Sequence, residues 1–316
     1  MEYQIVQEFM EESAIPLGCK FDDFLPVVLD VRKAAQIIVP AELPDAAILG
    51  ATIDSRFRNE IEGKKSFGES FSNYVKKKAG RLGRDDKVKE ARMKTELLRE
   101  LYTKVVEGSV SYNLYMDWID RLGLQKKILE SRPTIREVYI FKDDSVSVEL
   151  EELQDMRKDI RWEAWRYPNI SAPVSLRAFP EESNPAFLRK IGDILGFPAC
   201  CIDRYIFDRG SAVLSPEVRA ANQIIHAESP EEVNKFAYFT KDFFPCQPDC
   251  ESAVQIGKAM YEKLKDISPE LGELYLKHLS DNLELVRRYP EIIEERIRSL
   301  ESQSHREEGD HVDDKE

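Results

Sequence analysis

Asn184-Pro185-Ala186-Phe187-Leu188-Arg189-Lys190-Ile191-Gly192-Asp193-Ile194-Leu195-Gly196-Phe197-Pro198-Ala199-Cys200-Cys201 spells out a helix, a stop and the start of a second helix. Asn184 is an N-cap, followed by proline at the first helical position. Phe187, Leu188, Ile191, Ile194 and Leu195 recur at helical spacing, and Gly196 supplies the left-handed stop. Pro198 then seeds a second helix through Ile202, Tyr205 and Ile206 to Gly210, which puts Cys200 and Cys201 in its first turn. Unpaired backbone N–H groups and the helix dipole favour the thiolate form there.

The same punctuation continues downstream. Ser215-Pro216 opens a third helix ending near His226, and Ser229-Pro230-Glu231-Glu232 reads as a capping box opening a fourth, with Val233, Phe236 and Ala237 on its apolar side. In Phe244-Pro245-Cys246-Gln247-Pro248-Asp249-Cys250 the last residue sits one turn ahead of, or inside, a fifth helix, striped by Ala253, Ile256, Gly257, Met260 and Leu264. Ser268-Pro269 caps a long helix carrying Leu271, Leu274, Tyr275, Leu279, Leu283 and Val286, and Pro290 is expected to start another through Ile293 and Ile297.

Four of the five cysteines therefore fall at two helix N-termini about fifty residues apart. Thiolates are soft anionic ligands suited to zinc or an iron-sulfur cluster, and two converging N-termini make a locally positive pocket for either. A redox disulfide and plain core packing are the competing readings. Because one half is Cys-Cys and the other C-x3-C, rather than a repeated C-x2-C, an iron-sulfur cluster is the first choice and zinc the second. Adjacent cysteines reach one ion only with strain, which leaves open that Cys200 or Cys201 faces the core and that one coordination position is free. His226 is the nearest histidine and a candidate fourth ligand, though its spacing favours a plain helix-end residue. The charged groups closest in sequence, Asp203, Arg204, Asp249 and Glu251, are the candidates to act on a bound substrate.

Gly196, Phe197, Pro198, Cys200 and Cys201, followed by Pro245, Cys246, Cys250 and Ser252, resemble the signature of an archaeal domain-of-unknown-function family, number 483: Gly-Phe/Tyr-Pro-x-Cys-Cys, then Pro-Cys-x-x-x-Cys and a helix. The resemblance spans residues 180–265. It implies an archaeal source and a cytosolic protein, and it brings no activity and no catalytic residue with it.

Residues 1–180 read as an α+β region. A helix carries Ile5, Phe9 and Met10, and the apolar runs 37–39 and 46–53 are each strand candidates. The stretch 64–83 is polar and glycine-punctuated, and 85–107 and 112–122 are helical. Segments 138–141 and 146–150, separated by Lys142-Asp143-Asp144, alternate as a β-hairpin does, with 174–179 as a third strand. The fold class is thus α+β and predominantly helical. It has a small antiparallel sheet in the N-terminal half, a helical cysteine-bearing region over 181–300, and an acidic tail over 301–316 expected to be disordered. His305 and His311 in that tail read as solvated bystanders rather than a metal trap.

The chain has 316 residues, 42% hydrophobic and 33% charged, with a formal net charge of -13. That describes a soluble globular protein and disfavours indiscriminate nucleic-acid binding. Met1 to Met10 has no charged-then-apolar leader, so a cytoplasmic location is expected, and no apolar run suggests a membrane partner. Residues 73–99 run against the acidic average. Lys76, Lys77, Lys78, Arg81 and Arg84 lead a basic strip able to grip phosphates of RNA or of a small molecule, although interleaved acids favour a solvated face. Trp162, Trp165, Tyr167 and Phe179 can stack on bases, but their bulk reads first as core. Walker, G-x-G-x-x-G, H-E-x-x-H and G-x-S-x-G motifs are absent, as is the C-x3-C-x2-C of radical chemistry on S-adenosylmethionine. Two functions remain. One is an enzyme with an anionic or sulfur-containing small-molecule substrate at a Cys-ligated centre. The other is a metal-stapled, non-enzymatic module that binds a partner such as RNA.

Overall fold

The computed structural model describes residues 3–76, 84–169, 177–211, 215–241 and 243–310; the side chains of 62–87, 230 and 300–310 lie outside that description. The chain divides into two compact units, one of Met1–Val28 with Ala34–Ser147, the other of Leu29–Lys33 with Val148–Glu316. The division falls at 147/148 rather than near 180.

In the first unit the helix Tyr3–Glu11 buries Val6 and Phe9. Phe9 meets Phe24 and Trp118 with ring centroids 5.0 Å apart in each case, and Phe24 meets Tyr115 at 5.9 Å. A π-helical turn at Lys20–Phe24 turns Lys20 inward, where its ammonium donates to the Met10 and Glu12 carbonyls and closes the end of the first helix. Burial pulls the Lys20 pKa below its ordinary value, against the pull of Glu12. The sheet is small and antiparallel, as expected: β1 (Ala34–Val39), β2 (Gln125–Arg132) and β3 (Ile135–Phe141) in the order β1-β3-β2, with Ile37 and Ile128 flanking Val138.

The expected hairpin is corrected. Strand 138–141 belongs to β3, but its hairpin partner is β2, and 146–150 opens the helix Ser145–Arg166. Asp143 accepts the Ser145 N–H, and Val146, Leu150 and Leu153 are buried at i, i+4 and i+7. Local alternation lost to a helical stripe that runs longer. The apolar run 46–53 likewise starts the helix Ala46–Lys76, leaving β1 as the only strand of the two candidates. The proposed third strand lies outside the described residues over 174–176. Trp162, Trp165 and Tyr167 are not core: all three are exposed, the two indoles stacked at 5.1 Å, and Phe179 lies half-buried beneath Arg161.

The second unit is built from helices Pro185–Ile194, Ala199–Ser211, Pro216–Ile225, Glu251–Ile267 and Pro269–Asp310, linked by single 3-10 turns at Pro180–Ser183, Pro230–Glu232 and Lys235–Ala237. The fourth expected helix is reduced to the last two of these. Glu232 does reach back to the Glu228 N–H, but the Asn234 N–H is taken by the Pro248 carbonyl at 3.0 Å and its side chain caps a new turn by accepting from the Phe236 N–H, so the helix does not propagate. Pro290 starts no new helix. It sits inside Pro269–Asp310, whose Leu279 and Val286 are already buried and whose Tyr289 packs edge-on against Phe244. Packing of the turns that precede Pro290 outweighs the one missing backbone hydrogen bond. That helix also continues to Asp310, ten residues into the segment assigned by composition to a disordered tail, since extending an anchored helix adds one hydrogen bond per residue. Among the described residues no helix is long and apolar enough to cross a membrane.

Candidate metal centre

Each cysteine is placed by its local sequence. Asn184 Oδ1 accepts the Phe187 N–H, Pro185 occupies the first turn, and the helix ends with Gly196 at φ +73°, where Phe197 N–H returns to the Gly192 carbonyl at 3.0 Å. A Cβ on Gly196 would make only an ordinary contact, 3.4 Å from the Lys33 nitrogen, so it is the left-handed conformation that calls for glycine. Arg32 donates to the Leu195 carbonyl at 3.0 Å and lies 4.8 Å over the Phe197 ring, which stacks in turn on Phe243 at 5.1 Å. Phe197 is therefore an anchor directly before the cysteines. The Pro198 carbonyl then accepts from Cys201 and Ile202, starting the helix Ala199–Ser211 with both cysteines in its first turn. Cys250 is the N-cap residue of Glu251–Ile267.

The sulfurs of Cys200, Cys201, Cys246 and Cys250 all lie within 4.8 Å of one another, and this group can hold a metal ion. Cys201 and Cys250 are 3.6 Å apart, Cys200 and Cys250 3.7 Å, Cys200 and Cys201 3.9 Å. Neither of the adjacent cysteines turns away from the others. A helical first turn splays consecutive side chains so that Cys201 is buried and Cys200 exposed while both sulfurs border one space. None is disulfide-bonded. His226 is not in the group; it is an exposed C-cap residue of Pro216–Ile225.

Burial pushes the Cys201 thiol up, opposed by the Cys246 N–H, which donates to its sulfur at 3.4 Å. Burial and the neighbouring Cys250 push Cys246 up to about 11. Cys250 goes the other way. Burial works against its ionisation, but the Ala253 N–H at the helix start, short of a full capping hydrogen bond, and the three neighbouring thiols outweigh it and hold it below its ordinary value. One thiol eased toward ionisation beside three further sulfurs is a set of donors that a cation would complete by displacing protons.

Of the charged candidates, Asp203 pairs with Arg189, Arg204 is committed to Asp208 at 2.9 Å, and Asp249 and Glu251 are exposed. In the basic strip, Lys77, Lys78 and Arg81 and the side chains of Lys76 and Arg84 lie outside the described residues. Farther along, Lys94 pairs with Glu90, and Arg99 with Glu96 and Glu130.

Sequence reasoning missed the groups beneath the Cys246 turn. Arg219, 4% exposed, donates to Asp208 at 2.9 Å, to the Gln223 amide oxygen at 2.7 Å, and to the Pro245 and Phe244 carbonyls, while Gln223 donates to the Cys246 carbonyl at 3.2 Å. The signal was present. Pro216, Arg219, Ala220, Gln223 and Ile224 share one helical stripe, and an arginine among apolar positions calls for a buried partner.

Neither a known family model, nor a curated protein, nor a solved structure matches the chain.

Proposed function

We propose that the protein carries one structural zinc ion held by Cys200, Cys201, Cys246 and Cys250. The ion would join the first turn of Ala199–Ser211 to the turn before Glu251–Ile267. The supporting observation is the sulfur spacing. A tetrahedral site with Zn–S of about 2.3 Å has sulfur-sulfur edges of about 3.8 Å, and the spacings among Cys200, Cys201 and Cys250 are 3.6, 3.7 and 3.9 Å, with the Cys246 sulfur within 4.8 Å of each. Thiolates on the corners of a four-iron cube stand roughly 6 Å apart, beyond the 4.8 Å that encloses this group. Four thiolates close the coordination shell, which suits a staple between short helices more than a Lewis acid. The motif that resembles the archaeal family, Gly196, Phe197, Pro198, Cys200 and Cys201 with Pro245, Cys246, Cys250 and Ser252, includes the residues that supply these sulfurs, and membership of that family is part of the same reading.

A second reading is favoured by one observation, the exposure of Cys200. An anionic or sulfur-containing small molecule approaching from solvent would displace that ligand first, making the centre catalytic. Metal and sulfide analysis of the protein purified without oxygen tests the main reading. About one zinc per chain and no inorganic sulfide is expected; several irons with sulfide, or a single iron in the same cage, would overturn it.

A further inference from the structure

We infer that Arg219, with Asp208 and Gln223, is a bracket that presets the Cys246 turn for metal binding; this rests on the metal-centre reading above. The two cysteine-bearing segments are joined twice. At one end their sulfurs meet. At the other, Asp208, in the last turn of Ala199–Ser211, receives Arg219, whose guanidinium continues to the Phe244 and Pro245 carbonyls just before Cys246. Gln223, one helical turn beyond Arg219, accepts from it and donates to the Cys246 carbonyl itself. Three consecutive carbonyls of the turn are thus fixed by side chains of a separate helix, Pro216–Ile225.

The chemistry makes the arginine specific. Its planar fork reaches a carboxylate, an amide oxygen and two carbonyls at once, whereas a lysine presents its donors from one atom and cannot span them. Burial raises the stakes: Arg219 and Asp208 are each 4% exposed, so their hydrogen bonds are not readily exchanged for water. A turn held in this way spends less conformational freedom when a cation arrives. Groups that orient metal ligands from outside the coordination shell alter affinity by roughly 10- to 100-fold.

The test is zinc competition against a chromogenic chelator with the full-length chain, alongside urea unfolding of the zinc-free form. Gln223→Ala, at a half-buried position, is expected to bind zinc about tenfold more weakly, and Arg219→Lys, which keeps a charge opposite Asp208, approaching a hundredfold. A residue that only supports the fold would lower zinc-free and zinc-loaded stability equally and leave the zinc affinity unmoved. Affinities of both variants within about threefold of the parent protein would overturn the bracket alone. A parent protein that takes up no zinc would instead sink the metal-centre reading, and the bracket with it.

Discussion

In the unit of residues 1–28 and 34–147, Phe9, Phe24, Tyr115 and Trp118 fill one apolar core beside a three-stranded sheet. In the cysteine-bearing part of the other unit, helices of ten to seventeen residues and single 3-10 turns meet around four sulfurs and a buried Asp208–Arg219 pair. Glu181 gathers Arg157 and Arg161 in the same unit. Short helices bury little surface each, so directed links supplement the apolar packing of Phe239, Phe243, Met260 and Leu264 there.

The contrast breaks most visibly on metal removal. Chelation should destabilise residues 199–267 by about 4 kcal/mol or more, the linkage value at a thousandfold excess of metal over its Kd, while amide exchange in β1–β3 stays unchanged; equal loss in both units would erase the distinction. Phe24→Ala is the mirror experiment. It should cost the first unit about 3 kcal/mol, read by urea unfolding, with zinc affinity unmoved.

Zinc affinity should also depend on pH. Cys246, pushed up to about 11, and Cys201, pushed up by burial, hold protons near neutrality and give them up to the metal. Affinity therefore rises with pH, by at least about hundredfold per unit for the two protons these thiols release, measurable by chelator competition between about pH 6 and 8; a flat profile would contradict it. Gly257→Ala sharpens the comparison on close packing. Its Cβ would run into the Phe236 carbonyl oxygen, a backbone atom that cannot swing aside, and a loss of about 1–3 kcal/mol is expected in thermal unfolding. Gly196→Ala should be milder, about 1–2 kcal/mol for the left-handed conformation, with a matching shift in Tm.

Much of the second unit was legible because proline, glycine and capping residues act locally. Asn184-Pro185, Gly196 and Ser215-Pro216 each do what their chemistry dictates, and both cysteine pairs appear at helix starts. Readings failed where a tertiary contact decides between equal local options. Residues 146–150 fit a strand by alternation, but they became a helix because burial continues at helical spacing to Leu153. Pro290 marks a helix start in isolation and is overridden by packing around Val286 and Tyr289. Trp162 and Trp165 have the composition of a core and none of its surroundings. At the cysteine cluster the four residues were readable as types, whereas the spacing of their sulfurs exists only in three dimensions. Asp208, Arg219 and Gln223 escaped notice because each is an ordinary polar residue until the turn they hold is brought beneath them.

X-ray absorption at the zinc edge of the purified protein tests the central proposal most directly. Four sulfur scatterers at about 2.3 Å are expected, from one ion per chain. A shell containing nitrogen or oxygen neighbours, or iron with short iron-iron contacts in place of zinc, would contradict a single ion shared by Cys200, Cys201, Cys246 and Cys250.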